Sequence, residues 1–250
     1  LGFVLGWRGR ADLVRQGAEQ GEVTAVFDLP ADHPGRAVLE EAGRFADELV
    51  SVPVRVDKRK GAKIESKEVM FEKDELVRPE STLETLAKLR PSFHVKGSVT
   101  PANSSPISDG AAAVMVMSKA KAEAHGLTPL AEFVSFAVAG VAPEIMGIGP
   151  VEAVPKALKL AGLEMSAIDL IELNEAFAAQ ALACIRELEF DTDKVNIYGG
   201  AIALGHPLGC TGAKVLTTLL HGLRRTGGRY GLVTMCIGVG QGIAVIIERV

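Results

Sequence analysis

The sequence IDLIEL at Ile168–Leu173 decides the fold, because two similar short apolar runs follow it, VNIY at Val195–Tyr198 and YGLVTM at Tyr230–Met235. Each run is typical of a buried strand. Stretches with helical spacing connect them, at Glu175–Leu188 and Thr211–Arg225. Strands that alternate with helices indicate βαβ units and a parallel sheet. The chain is therefore predicted to have an α/β fold.

Three polar side chains follow the predicted strands. Asn174 comes directly after the first strand and Cys236 directly after the third, while His206 lies in the glycine-rich loop Gly199–Gly209 (GGAIALGHPLG) after the second. In parallel sheets the carboxyl ends of the strands open onto the ligand crevice. An amide, an imidazole and a thiol are therefore expected to converge at one edge of the sheet, as in an active site.

The loop Gly205–Gly212 (GHPLGCTG) precedes a predicted helix, so free backbone N–H groups and the helix dipole point at it. Its glycine spacing is not that of a dinucleotide-binding fingerprint, and no Lys-Ser or Lys-Thr pair follows a glycine as in a phosphate-binding loop. A tight strand-to-helix turn with a capping histidine is the alternative, because glycine loops often serve geometry alone. The sequence leaves both interpretations open.

Cys236 begins a second glycine-rich loop, with Gly238, Gly240 and Gly242 at alternate positions. Repeated glycine lets a backbone approach a ligand and direct N–H groups at it. A thiol beside such donors can act as a base or nucleophile if its pKa is lowered. The alternative is a small buried hydrophobic residue, which is the common use of a lone cysteine.

The other candidate residues favour structural roles. Cys184 lies among apolar residues in the middle of a predicted helix and is expected in the core, whereas Cys210 fills a tight turn. His206 and Cys210 are four residues apart, but no C-x2-C pair accompanies them, so no metal site is predicted. Glu175 is interpreted as the acid at the start of a helix.

Composition excludes several classes of protein. The chain has 250 residues, 48% of them hydrophobic, and a net charge of −4. It can bury a sizeable core, and its single basic block, Arg55–Lys63, does not suit a nucleic-acid partner. No apolar run approaches the length of a membrane span. Three cysteines do not suit a disulfide framework, so a reducing, cytoplasmic location is expected.

The N-terminal part is less regular. Helical spacing is found over Arg36–Val50, a hairpin tip is predicted at Lys58–Gly61, and a capping box at Ser81–Glu84 (STLE) begins a helix that Pro91 ends. The apolar run Ala111–Met117 is predicted to be a strand, followed by a short helix from Lys119 to Gly126. From Pro129 onward the strand and helix pattern is continuous, which indicates a domain boundary there.

Three ordered motifs resemble a known family, the thiolases, or acetyl-CoA acyltransferases. They are NEAFAAQ at Asn174–Gln180, GGAIALGHPLGCTG at Gly199–Gly212 and CIGVGQG at Cys236–Gly242. Shorter matches lie upstream, among them MGIGP at Met146–Pro150 and LRPSF at Leu89–Phe93. The resemblance covers residues 38–250 and is specific, because the order and spacing of the motifs agree as well.

The resemblance implies a chemistry for the candidate residues. Thiolases join or cleave a carbon–carbon bond between acyl thioesters, with one cysteine carrying the acyl group and a second moving the α-proton of acetyl-CoA. Cys236 corresponds to the second cysteine. His206 would help to activate the nucleophile and, with a water held by Asn174, stabilise the enolate, while the N–H of Gly238 would serve the other oxyanion hole.

The resemblance also implies a binding site for the CoA thioesters, which are substrates, so no cofactor and no metal are expected. Ser105 corresponds to the serine that meets the pantetheine arm. Phe93 and Met146 correspond to positions in the pocket wall, and Arg78 to the position that meets the nucleotide end of CoA. Acyl chain length and the direction of the reaction stay open.

The fold implied by the resemblance is a thiolase-like α/β fold in which two similar halves stack as αβαβα layers. The C-terminal domain would be complete at 129–250, and 108–128 would be the last strand and helix of the N-terminal half. The loop lobe would be 1–107, with 1–37 atypical. Family members are dimers or tetramers through sheet-edge contacts, so a homodimer or homotetramer is expected.

Two alternatives to a thiolase-type acyltransferase stay open. None of Cys184, Cys210 and Cys236 matches the motif of the acyl-carrying cysteine, so the chain is expected to be the C-terminal portion of a thiolase and inactive alone. A non-catalytic CoA-binding or assembly protein derived from a thiolase would fit as well. A condensing enzyme of another thiolase-like branch would usually have a second His or an Asn in place of Cys236.

Overall fold

The computed structural model describes residues 50–61, 63–71, 76, 78 and 81–250. The described residues fall in two compact units that divide after Pro79. Apart from Val50, the helix predicted over Arg36–Val50 lies outside the described residues, as do residues 1–37.

The unit before Pro79 contains an antiparallel hairpin. Strand β1 (Val52–Lys60) pairs along its whole length with β2 (Lys63–Phe71). Gly61 lies in the turn with a φ of 62°, a left-handed conformation that glycine adopts without steric penalty. The hairpin tip predicted at Lys58–Gly61 is confirmed.

Two short helices begin the larger unit, α1 (Leu83–Ala87) and α2 (Lys119–Ala124). The capping box of α1 lies one residue later than the sequence predicts. The Thr82 hydroxyl accepts from the Thr85 N–H at 3.2 Å, and the Thr85 hydroxyl oxygen accepts from the Thr82 N–H at 3.0 Å. A hydroxyl at this position satisfies the same orphan donor as the glutamate of the usual motif, so the helix begins one residue later.

The larger unit is built on one four-stranded sheet. Its strands are β3 (Ala131–Gly140), β4 (Leu170–Leu173), β5 (Tyr230–Ile237) and β6 (Gln241–Arg249), in the order β3-β6-β5-β4. Only β4 and β5 are parallel; β6 is antiparallel to both of its neighbours. The parallel pairing predicted for the runs Ile168–Leu173 and Tyr230–Met235 is confirmed in β4 and β5. Strand β6 is antiparallel to β5 because a short turn joins the two strands.

The run VNIY does not form a full strand. Val195 makes a single parallel bridge with Ile171 of β4. Asn196, the next residue, has a φ of 47°, which takes the chain out of the extended conformation. The predicted strand over Val195–Tyr198 is therefore reduced to one paired residue.

Helices cover both faces of the sheet. They are α3 (Gly149–Ala161), α4 (Ala178–Glu187), α5 (Ala201–Leu204) and α6 (Thr211–Thr226). One core lies between the sheet and the helices α3 and α4, and a second lies between the sheet and α6. Gly162 ends α3 with a φ of 65°, the left-handed helix end that its sequence position predicts.

The strand predicted at Ala111–Met117 is not formed. None of the described residues pairs with this segment, and the Met115 and Val116 side chains are 79% and 84% exposed. A strand needs a neighbour that accepts and donates its backbone hydrogen bonds, and an apolar composition cannot supply one. The predicted helix that follows is confirmed as α2, which ends before Gly126.

Candidate active site

Asn174 and His206 meet at the carboxyl end of β4. The Asn174 backbone N–H donates to the Thr234 carbonyl of β5 at 3.0 Å, which fixes the residue at the edge of the sheet. Its side chain is buried, and its Nδ2 lies 3.4 Å from Nε2 of His206. The amide and the imidazole thus converge where the sequence places them.

The hydrogen bonds around His206 define one tautomer. The Thr211 hydroxyl donates to the Pro207 carbonyl at 3.0 Å, so its oxygen is left to accept from Nδ1–H of His206 at 2.7 Å. Nε2 then carries no proton and accepts from the Asn174 amide. Burial lowers the pKa of His206, and the nearby Lys214 lowers it further. His206 is therefore a neutral base whose free nitrogen faces Asn174.

The Oδ1 atom of Asn174 is an acceptor with no protein partner. It is buried, and none of the described residues donates to it. A buried polar atom of this kind is normally satisfied by an ordered water or a ligand. The position beside His206 thus suits a bound water or a substrate group that donates a hydrogen bond.

Cys236 lies on the same edge of the sheet, but inside β5 rather than after it. It pairs with Gly242 of β6 and follows, by two residues, the Thr234 whose carbonyl meets Asn174. Burial raises the pKa of the Cys236 thiol, with a hydrogen bond to its own backbone opposing the shift. The pKa is thus not lowered, as a reactive thiolate would require; the thiol is protonated at neutral pH and gives its proton only to a strong base.

The glycines after Cys236 serve two different purposes. A Cβ on Gly240 would lie 2.3 Å from the Val141 carbonyl oxygen, and one on Gly242 would lie 2.1 Å from the Gly149 carbonyl. Gly240 allows the β5–β6 turn to pack against the segment that follows β3, and Gly242 allows it to pack against the start of α3. A Cβ on Gly238 would meet no atom within 4 Å, so its surroundings are open. Of the three, only Gly238 has room for a ligand beside it.

Ser105 and Phe93 are both brought to the segment that follows Asn174. The Ser105 N–H donates to the Ala176 carbonyl at 3.0 Å. The Phe93 ring meets the Phe177 ring edge to face, with centroids 5.8 Å apart, and is otherwise exposed. These two residues therefore border the site from a segment distant in sequence.

Met146 and Arg78 occupy different surroundings. Met146 lies in a short 3₁₀ helix, Pro143–Ile148, whose Gly147 packs closely against Gln180 of α4. Arg78 is exposed and belongs to the unit that ends at Pro79.

Sequence reasoning missed the role of Glu175. This residue is not an acid on the surface of a helix start; it is 1% exposed and accepts hydrogen bonds from Nδ2 of Asn196 and from the Ile202 N–H, both at 3.2 Å. Burial raises its pKa to about 7. Asn196 also bonds both the N–H and the carbonyl of Leu173, at 2.9 and 2.8 Å. Glu175 and Asn196 together connect the end of β4 to the loop that carries His206.

Membrane spans and metal clusters are both absent from the described residues. Within this part of the chain no helix has the length and apolar character to cross a membrane. Nor does it contain a group of three or more His, Cys, Asp or Glu side chains placed to hold a metal ion. Cys184, Cys210 and Cys236 are all free thiols.

Two family models match the chain. The thiolase C-terminal domain matches residues 127–249, and the thiolase N-terminal domain matches residues 35–120. The chain belongs to the thiolase family. The resemblance that the motifs indicate over residues 38–250 is thereby confirmed, and the family membership covers both units of the structure.

Relatives of this thiolase include a 3-ketoacyl-CoA thiolase of Bacillus subtilis, 55% identical over 86% of the chain and 56% of the relative. An acetyl-CoA acetyltransferase of Escherichia coli is 53% identical over 92% of the chain and 57% of the relative. The chain thus spans about half the length of the curated relatives it matches.

Solved structures confirm the thiolase fold. The acetyl-CoA acetyltransferase of Bacillus anthracis superposes with a TM-score of 0.76 at 45% identity, covering 86% of this chain and 52% of that one. Human mitochondrial 3-ketoacyl-CoA thiolase in complex with CoA superposes with a TM-score of 0.72 at 44% identity, covering 86% of this chain and 51% of that one.

Proposed function

We propose that the chain provides the proton-transfer part of a thiolase-type acyltransferase, which forms or cleaves the carbon–carbon bond of 3-oxoacyl-CoA with acetyl-CoA and CoA. The observation that carries the proposal is the line of hydrogen bonds from Thr211 through His206 to Asn174, on the same sheet edge as Cys236. The names of the relatives, which are 3-ketoacyl-CoA thiolases and acetyl-CoA acetyltransferases, support the substrate class.

Cys236 moves the α-proton. Its thiol is protonated in the resting chain, since burial raises its pKa. In the cleavage direction that proton passes from Sγ to the α-carbon of the departing acetyl-CoA enolate. In the condensation direction the thiol first loses its proton to solvent, and the thiolate then takes a proton from the methyl group of acetyl-CoA.

His206 and Asn174 stabilise the enolate. Nε2 of the neutral imidazole can take the proton of the acyl-carrying thiol. The resulting Nε2–H group can then donate a hydrogen bond to the enolate oxygen. A water bound to the unpartnered Oδ1 of Asn174 is the second donor. The Gly238 N–H, in its open surroundings, serves the oxyanion of the tetrahedral intermediate.

The binding residues follow the same proposal. Ser105 meets the pantetheine arm, Phe93 and Met146 form the pocket wall, and Arg78 contacts the nucleotide end of CoA. Residues 129–250 are the C-terminal thiolase domain. No cofactor takes part, the chain works as a homodimer or homotetramer, and the three free thiols suit a reducing, cytoplasmic compartment.

The test is the exchange of the acetyl-CoA methyl protons for deuterium, followed by proton NMR with the chain as it stands. The exchange requires Cys236, His206 and Asn174 but no acyl-carrying cysteine. We expect Cys236→Ala to slow it by about 10²–10⁴-fold, the usual contribution of a positioned acid or base. The matched control, Cys210→Ala, should leave the rate unchanged.

The non-catalytic alternative gives a different result. A CoA-binding protein derived from a thiolase would bind CoA in calorimetry but would not accelerate methyl exchange. Folded chain that binds CoA without exchange would overturn the proposal, as would equal rates for the Cys236→Ala and Cys210→Ala proteins.

A further inference from the structure

Lys214 holds the backbone immediately before His206. It lies one turn into α6, and its Nζ donates to the Gly205 carbonyl at 2.9 Å. Gly205 follows the last residue of α5 and has a φ of 94°, so it is not helical. Its carbonyl therefore lies outside the hydrogen-bond pattern of α5. The lysine therefore connects the helix that follows the His206 loop to the residue that precedes it.

Lys214 lies close to the buried acid Glu172. It lines a small cavity together with Glu172, Asn174 and Gly200, a space with room for about one water molecule. Glu172 and Glu175 are both buried, and the positive charge of Lys214 lowers the pKa of each, against the larger raising effect of burial. Buried ionisable groups normally require such a partner.

We propose that Lys214 is a positioning residue for His206, which fixes the Gly205 carbonyl and thereby keeps the imidazole in its Nδ1–H tautomer. The inference deepens the proposed function and rests on it only for the catalytic use of His206. Two observations carry it: the hydrogen bond to Gly205, and the cavity that Lys214 lines together with Glu172 and Asn174.

Titratable side chains come from three elements at this end of the sheet: Glu172 in β4 with Glu175 shortly after it, Cys236 in β5 and Lys214 in α6. Of these, Lys214 is the one whose charge acts on the pKa of His206. Burial is the main reason that the pKa of His206 is lowered, and the positive charge of Lys214 is the second. A cation beside the ring disfavours the imidazolium form, so its removal must raise the pKa of His206.

The experiment is an NMR titration of the chain labelled with ¹⁵N-histidine, in the absence of CoA. The signals of His206 are identified by their loss in His206→Gln. In Lys214→Met and Lys214→Gln we expect the His206 pKa to rise. In Lys214→Met we also expect a mixture of ring tautomers, because the Gly205 carbonyl loses its anchor. Lys214→Arg, which keeps the charge, should restore both the pKa and the tautomer.

Lys156→Met, an exposed lysine of α3, is the matched control and should leave His206 unchanged. If Lys214→Met fails to fold, the comparison of Lys214→Gln with Lys214→Arg decides the question alone. The same His206 pKa in both of those proteins would overturn the proposal. Since no substrate is present, this result is independent of the methyl-exchange assay, and either proposal can fail while the other stands.

Discussion

Single residues next to the Asn174–His206 pair explain why the site holds its shape. Asn196 uses its one side chain to bond both backbone groups of Leu173 and the carboxyl group of Glu175. A Cβ on Gly200 would lie 2.0 Å from the Glu175 carboxyl carbon, so the loop that leads to His206 passes directly over the buried acid. The position of Asn174 at the end of β4 is thus fixed by groups that do not touch substrate.

Glu175 should make the stability of the fold depend on pH. Its pKa rises from an ordinary value of 4.5 to about 7. Between these values the native chain holds a proton that the unfolded chain has lost, so the free energy of unfolding falls as the pH rises from 4.5 to 7. A shift of this size corresponds to about 3 kcal/mol.

We expect Glu175→Gln to flatten this fall, measured by urea denaturation at several pH values in that window. Glu187→Gln, an exposed acid of α4, should keep the wild-type slope. Identical slopes in all three proteins would mean that Glu175 titrates normally. The raised pKa of Glu172 leaves part of the slope in every variant.

Among the elements, the β5–β6 hairpin is held by backbone contacts to the segment that follows β3 and to the start of α3. The Val141 N–H donates to the Gly240 carbonyl at 2.8 Å, and Gly149 and Gly242 leave no space for a side chain on either. The turn that presents Cys236 and Gly238 is therefore supported by its neighbours. Its geometry depends on Gly240 and Gly242, which a functional interpretation of the sequence assigns to ligand binding.

Gly242→Ala should destabilise the fold by about 3 kcal/mol, the upper range for overpacking, because the new methyl group would meet the Gly149 backbone, which cannot rotate away. Gly209→Ala, at a position with nothing within 4 Å, should change stability by no more than about 0.5 kcal/mol. Thermal and urea unfolding would compare the two. A small effect of Gly242→Ala would show that the hairpin can move away from α3.

The sequence predicts where helices and strands lie better than it predicts which strands pair. The strands β3 to β6 and the helices α3, α4 and α6 follow from periodicity and from glycine positions, whereas α5 lies in a segment predicted to be a loop. The convergence of Asn174 and His206 follows from the residues at strand ends. Periodicity cannot say which strand lies beside which, so it predicts a strand at Ala111–Met117 that lacks a partner among the described residues. Glu175 is missed because an acid before a helix is usually exposed, and only the fold reveals that it is buried.

At the scale of the whole molecule, β3 leaves an apolar surface open. It is an edge strand, with Ala137 and Ala139 turned into the core and Phe136 and Val138 exposed on the other face. The Phe133 and Phe136 rings lie 6.1 Å apart on this strand and are both more than half exposed. Helix α6 packs on β4 and β5, and none of the described helices covers the face of β3 that carries Phe136 and Val138.

We expect the chain to self-associate through β3, because an exposed apolar edge strand offers both unpaired backbone groups and apolar area to a second copy. Light scattering coupled to size exclusion should give a mass above 26.3 kDa that rises with concentration. The double variant Phe133→Thr with Phe136→Thr should shift the mass toward that of one chain, since threonine keeps the strand but removes the rings. Ile107→Thr, at a position that is more exposed but outside the sheet, should have no effect. A wild-type chain that stays monomeric at high concentration would contradict this prediction, because the apolar face of β3 would then be covered within a single copy.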